Sequence, residues 1–435
     1  MRTCCLIFGL LFSASLHAQS LFEDAVSGDA KQPDIAQAET YELNGYIRGV
    51  LYSGKVPDKD EGEMKSGYGE AALKLRVRKK DFGDGFAEIR FRRGHEFNAS
   101  VSEVILREAY VNTYAGRFDV RFGHQIVVWG RADGFNPTDN VTPKNMLVRS
   151  PDEDDRRTGN FLIRSFCNLD PFRLEAIWIP VYAASVLPTR MMSLPPGMSL
   201  TEPEYPDANL KNGAFAAKLN LERASFDGSV SYFNGYNPSP GLDADAQGIR
   251  LRAYRMHVVG ADFSTTIGSY GFRGEFAYRT PHEDYEKYIY IPNPDLQYVM
   301  GMDRTFGDFS VILQYIGRTV LDFAELSNPQ TPEERPKYER TRKNRMFSSQ
   351  SDEISHAVSF RPAWKFLYET LVLEAAGLYN FTTEELLVKP KVSYDIADAL
   401  RLILGGELYT GPNGTLYDTI GETLSAVFVE LKTSF

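Results

Sequence analysis

Residues 116–130 read G-R-F-D-V-R-F-G-H-Q-I-V-V-W-G, and the alternation they carry decides the fold. Phe118, Val120, Phe122, Ile126 and Val128 fall on one side of an extended chain. Arg117, Asp119, Arg121 and Gln125 fall on the other, because successive side chains of a strand point to opposite faces. An apolar face backed by a charged one suits a half-buried strand of a soluble sandwich. It suits equally a strand with lipid on one side and water on the other.

The amino-terminal residues indicate export. Arg2, an apolar run over 4–16 and Leu16-His17-Ala18 before Gln19 read as a signal peptide spanning 1–18. Residues 19–40 then form a short periplasmic segment, and 41–435 the main domain. Cys4 and Cys5 leave with the leader, so Cys167 has no partner for an intramolecular disulfide. Arg2 is the leader's only charge, so its removal takes the formal net charge from -10 to -11. An acidic exported chain is poorly suited to nucleic acid. No stretch of eighteen apolar residues exists, which excludes a helical membrane protein.

The pattern of 116–130 repeats along the chain in eighteen segments, each near the roughly 9–11 residues that a tilted strand needs to cross a bilayer. Short turns such as 80–84, 115–116 and 223–224 alternate with long polar connections, notably 130–158, 183–212 and 320–352. Outer-membrane barrels have this alternation of short periplasmic turns and long external loops. The expected fold is therefore all-β, a transmembrane antiparallel up-and-down barrel of about eighteen strands. Sixteen would follow if 250–265 and 296–306 were irregular. The tight connection 382–384, where a long loop is due, hints at one misplaced pair. Trp129, Trp178, Tyr182, Tyr236, Tyr409 and Tyr417 fall at strand ends, as aromatic girdles require.

Placing apolar side chains toward lipid sends Glu70, Lys74, Arg76 and Arg78 inward, then Glu88, Arg90 and Arg92, then Arg117, Asp119 and Arg121. A charge facing lipid near the midplane costs about 2–4 kcal/mol, so energy and pattern choose the same phase. These residues are expected to line the pore. His124 alone falls on the lipid side, a conflict that a bulge near Gly123 or a position at the interface would remove.

Three patches resemble known sequences. They are W-G-R-A-D-G-F-N-P-T-D-N-V-T-P at 129–143, L-E-A-I-W-I-P at 174–180 and the hairpin 390–411. They are similar to segments of uncharacterised porin-like outer-membrane proteins, which carry a Trp-Gly and an Asn-Pro-x-Asp after a mid-barrel strand. At greater distance, the strand number is similar to that of sugar-specific porins and alginate-export barrels. The resemblance implies an outer-membrane channel and gives no solute; the charged lumen points to passive or facilitated diffusion of small polar solutes, anions included, and no cofactor is expected. By analogy the resemblance implies a homotrimer. The carboxyl-terminal A-V-F-V-E-L-K-T-S-F resembles the signal read by the outer-membrane assembly machinery. Diffusion porins fold the loop after their fifth strand into the lumen, so 130–158 is expected there as a constriction. Arg131, Asp133 and Asp139, then Asp152, Glu153, Asp154, Asp155, Arg156 and Arg157, would face the basic wall across it.

Other readings stay open: an exporter of a polyanion or polysaccharide, or a barrel that anchors receptor or adhesion loops. Catalysis needs a nucleophile, base and orienting group together, and His95, His124, His257, His282 and His356 lie in no such motif, so the chain reads as a non-enzyme. Asp152–Asp155 lacks the glycine-spaced ligands of a calcium loop, and no metal is expected.

Overall fold

The computed structural model describes residues 39–55, 62–79, 82–97, 99–187, 199–245 and 248–435; the expected leader and most of 19–40 lie outside these. The first strands are β1 (Glu39–Lys55), β2 (Gly62–Lys79), β3 (Gly83–Glu96), β4 (Ala99–Ala115), β5 (Phe118–Gln125), β6 (Asn160–Leu169), β7 (Phe172–Ile179), β8 (Ala214–Arg223) and β9 (Phe226–Tyr236). A small hairpin follows, β10 (Gly241–Asp245) and β11 (Gly248–Arg252). Then come β12 (Arg255–Ile267), β13 (Tyr270–Pro281), β14 (Asp295–Phe306), β15 (Phe309–Val320), β16 (Ile354–Phe366), β17 (Leu371–Asn380), β18 (Glu385–Ala397), β19 (Leu400–Thr410) and β20 (Ala426–Ser434). Neighbours in sequence pair antiparallel, β9 pairs with β12 past the hairpin, and β20 returns to β1 in the register Tyr46↔Ser434 to Ser53↔Val427. The eighteen-stranded sheet thereby closes on itself, which leaves no free edge.

Exposure follows the alternation. On β20, Val427 and Leu431 face out while Phe428 and Glu430 are buried inside. On β3, Ile89 and Phe91 face out while Glu88, Arg90 and Arg92 face in.

One expected strand changes in detail and two alternatives fall away. The segment 250–265 is two pieces: 250–252 belongs to the hairpin, and the barrel strand starts at Arg255. Alternation cannot tell a barrel strand from a hairpin above the rim, since both have two faces. The segment 296–306 lies in the regular strand β14, so the count is eighteen rather than sixteen. The tight connection after β17 is a true hairpin and no pair is misplaced; the Asn380 side chain accepts from Thr382 N at 2.9 Å and Thr383 N at 3.2 Å.

The register explains His124. The β4–β5 ladder runs unbroken through Gly123, so no bulge lies there. His124 is instead the next-to-last residue of β5, at the rim beside Phe161. The bulge sits in β4, where Glu88 pairs with Glu108 but Ile89 pairs with Leu106, leaving Arg107 as the extra residue. Val104 and Leu106 face out before it and Val111 after it. Were Arg107 paired in a regular ladder, Glu108 would turn to lipid, at a cost of about 2–4 kcal/mol.

Candidate functional site

The chain leaves the sheet after Gln125, earlier than the expected strand 117–129, because side chains replace the ladder. Ile126 N donates to Glu108 at 2.9 Å and Val127 N to the Thr142 hydroxyl at 2.8 Å. From there the segment 126–159 runs through the barrel interior and attaches on three sides.

The first attachment is apolar with a carboxylate at its centre. Val127, Trp129 and Val141 pack on inward residues such as Leu162, Ile177 and Phe233. Beside them Glu275 of β13, 3% exposed, accepts from Arg131 N at 2.5 Å, Ala132 N at 2.6 Å, Asn136 Nδ2 at 2.9 Å and the Thr138 hydroxyl at 3.0 Å. The Trp-Gly…Asn-Pro-Thr stretch is thus a nest wrapped around one wall carboxylate, which as a buried charge needs such donors. Gly130 has φ +97°, and a Cβ there would lie 2.4 Å from Glu275 Oε1, so both angle and space demand glycine.

The second attachment is ionic. Arg48 of β1 lies 2.6 Å from Glu70 and 2.7 Å from Asp155, and Arg90 lies 2.7 Å from both Asp155 and Glu88. Arg92 pairs with Glu70 at 2.6 Å. Burial alone would raise the Asp155 carboxyl; the guanidiniums of Arg48 and Arg90 more than reverse this and hold it well below the usual carboxylate range. Nearby, the bulged Arg107 donates to Asp154 O at 2.7 Å, and Arg157 pairs with Asp139 at 2.5 Å. Arg149 lies buried over the Tyr52 ring at 4.7 Å and bonds Leu424 O at 2.7 Å.

These contacts redistribute the expected pore residues. Glu88, Arg90 and Arg92 are buried beneath the loop, Glu88 spent on Arg90, Arg90 on Glu88 and Asp155, and Arg92 on Glu70 and Glu96. Lys74, Arg76, Arg78, Asp119 and Arg121 lie on the inward faces toward the turn end, where Arg78 pairs with Glu42 at 3.2 Å and Arg121 covers Tyr110 at 4.4 Å. Arg117 falls in the exposed turn before β5. Arg48 escaped the sequence reading because its same-face neighbours Tyr46, Val50 and Tyr52 are apolar or aromatic, so no ladder of charges announced it.

The third side is where space remains. A cavity of about 1140 Å³ separates the loop from the wall β15–β20. Its lining runs from Glu385 and Tyr417 at the loop end to Asp398 and Arg401 at the turn end, so it extends from one rim to the other. Arg131, Asp133 and Asp152–Arg157, except Asp155, contribute from the loop side. Arg361 of β16 with Lys389 and Lys391 of β18 face them. Three ion pairs join the loop to this wall, Lys389 to Glu153 at 2.6 Å, Arg361 to Asp133 at 3.0 Å and, at the buried end, Arg149 to Glu407 at 3.1 Å. Glu374 of β17 takes Arg361 at 2.9 Å and Lys391 at 3.2 Å. Above the mouth, the basic helix Arg335–Phe347 is held by Asn344 to Leu242 O at 2.7 Å and by Arg342 to Gly414 O at 3.3 Å. Those acceptors follow β9 and β19, nearly opposite points of the ring, so the helix bridges the mouth.

Fold and interior together define a transmembrane barrel with a loop folded inside it. No family model and no curated protein matches the sequence. Among solved structures the chain is similar to Acinetobacter baumannii OccAB3 (TM-score 0.56, 9% identity, 91% of this chain and 99% of that one). It is similar also to the BenF-like porin from Pseudomonas fluorescens Pf-5 (TM-score 0.53, 9% identity, 91% and 98%) and to Pseudomonas aeruginosa OccK11 (OpdR) (TM-score 0.52, 9% identity, 91% and 96%). At these identities the likeness is one of fold.

Proposed function

We propose that this chain is an outer-membrane porin-type channel of a Gram-negative-type envelope, passing small polar solutes, anions among them, down their gradients. The observation that carries this reading is the charged cavity reaching from rim to rim between the loop and β15–β20. Its volume is that of a small-molecule site rather than of a wide aqueous pore, so solutes pass singly and in contact with the walls. Loop carboxylates Asp133, Glu153 and Asp154 face Arg361, Lys389 and Lys391, a transverse field that orients dipolar solutes and favours those able to bond both sides. The wall cations give an anion its seat, in exchange for the loop acids that hold them now. In this reading the long loops lie outside the cell, the termini lie in the periplasm, and the C-terminal strand is the address for barrel assembly.

The test is solute-driven swelling of liposomes carrying the folded barrel. Small carboxylates and neutral polar solutes are expected to enter at different rates, and Arg361→Gln with Lys389→Gln and Lys391→Gln to narrow that difference. Liposomes that swell no faster than protein-free ones would refute the channel.

A further inference from the structure

The five histidines among the described residues, the sixth being His17, occupy one ring on the outside of the barrel. His95 and His124 are next to last in β3 and β5, His257 and His356 are third in β12 and β16, and His282 directly follows β13. All these positions lie at the loop end. The four on strands share the outward face with lipid-exposed Phe91, Phe122, Val259 and Phe360. At the turn end the corresponding ring is apolar and aromatic: Phe118, Phe172, Phe226, Phe306 and Trp364. An ordinary girdle would use the same residue types at both interfaces. Here only one interface carries rings that can hold a proton.

The polar groups around these rings fit an anion. His257 stacks on His282 with centroids 3.8 Å apart, and its Nδ1 lies 2.7 Å from the Tyr232 hydroxyl. Arg255 is beside this pair, and Glu283 is bonded to Arg255 N at 3.1 Å. The Tyr315 hydroxyl meets His356 Nδ1, with Tyr298 next to it. Arg93 shares the outward face with His95, whereas the nearest acids, Glu96 and Glu103, belong to the inward face. The partners across the sheet are Gly67 and Ser100 for His95, Ala109 and Phe161 for His124, Asn234 and Thr280 for His257, and Gly317 for His356; none is acidic. Burial, followed by His257 and Arg255, holds His282 below the usual imidazole value, a penalty that a bound anion would relieve.

We infer that this ring binds the anionic phosphate headgroups of the membrane leaflet at the loop end, more tightly as pH falls. Headgroup phosphate lies at the depth where strand ends meet water, and each cation added near an anionic surface strengthens attraction several-fold. Imidazole is the side chain that gains such a charge on mild acidification. The inference is independent of whether the lumen conducts.

The experiment measures binding of fluorescent short-chain phosphatidylglycerol, whose phosphodiester does not titrate in this range, to the full folded barrel in neutral detergent. Between about pH 8 and about pH 5.5 the affinity is expected to rise about tenfold. In a variant with all five histidines changed to Phe, which keeps the aromatic ring, the rise is expected to vanish. Heat-modifiable gel mobility checks the fold; should that variant not assemble, His257→Phe with His282→Phe removes one arc and is expected to lose a measurable share of the rise. An undiminished rise in the variant that folds overturns the inference. Equal binding of phosphatidylcholine would reduce the ring to an aromatic girdle, and full displacement by inorganic phosphate would make it a free-anion site; either result also overturns it.

Discussion

Glu275 Oε1 on the wall lies 2.5 Å from Arg131 N in the loop, and this contact fixes where the loop enters the lumen. Removing the carboxylate leaves buried N–H donors without an acceptor, each worth about 1–3 kcal/mol, while the strand ladder on both sides is untouched. Glu275→Ala is therefore expected to leave a folded barrel with a loosened loop. Single-channel records should show larger and noisier currents, and limited proteolysis should cut within 130–158. Gly130→Ala should act in the same direction, since its Cβ would collide with the same oxygen.

Arg48 serves Glu70 and Asp155 together, and all three are buried. Arg48→Met takes an arginine partner from each carboxylate, leaving Arg92 on Glu70 and Arg90 on Asp155, and is expected to destabilise the barrel by about 1.5–3 kcal/mol, read as a lowered midpoint of heat-induced gel shift. Adding Asp155→Asn should recover part of that loss, because it removes one of the negative charges that Arg48 had balanced.

The Asp155 carboxyl is depressed in the folded state by Arg48 and Arg90. A group depressed on folding contributes stability above its unfolded value, and loses it as pH falls through the folded one. Loop seating should therefore be unchanged across the neutral and mildly acidic range and weaken only in strong acid. Conductance measured along a pH series would show this; a sharp transition near neutrality would contradict it.

The bulge at Arg107 makes a more local prediction. Deleting Arg107 restores a regular ladder with β3, keeps Glu108 inward and removes the donor to Asp154 O. Both this deletion and Arg107→Ala should still refold in detergent, with limited proteolysis cutting more readily within 130–158.

Alternation in sequence carried the fold, since lipid punishes a charged outward residue at nearly every strand position. It also showed that 130–158 was long and charged. It could not show which wall the loop would lean on. Lys389 and Lys391 flank Pro390 with the same period as Arg90 and Arg92, and both pairs read as inward. The difference arises across the lumen: Asp155 and Ser150 settle on Arg48 and Arg90, which consumes one set of cations and leaves the other beside open space. The hairpin β10–β11 was hidden for a similar reason, because period two is common to every two-faced strand.

The most direct test of the channel is single-channel conductance of the refolded barrel in a planar bilayer, with reversal potential under a salt gradient. Stable steps are predicted, with an anion preference that falls when Arg361, Lys389 and Lys391 are neutralised together and changes much less when Arg76 and Arg121 are. No conductance from a correctly folded barrel, or a preference indifferent to the first set, would contradict a passage between the loop and β15–β20.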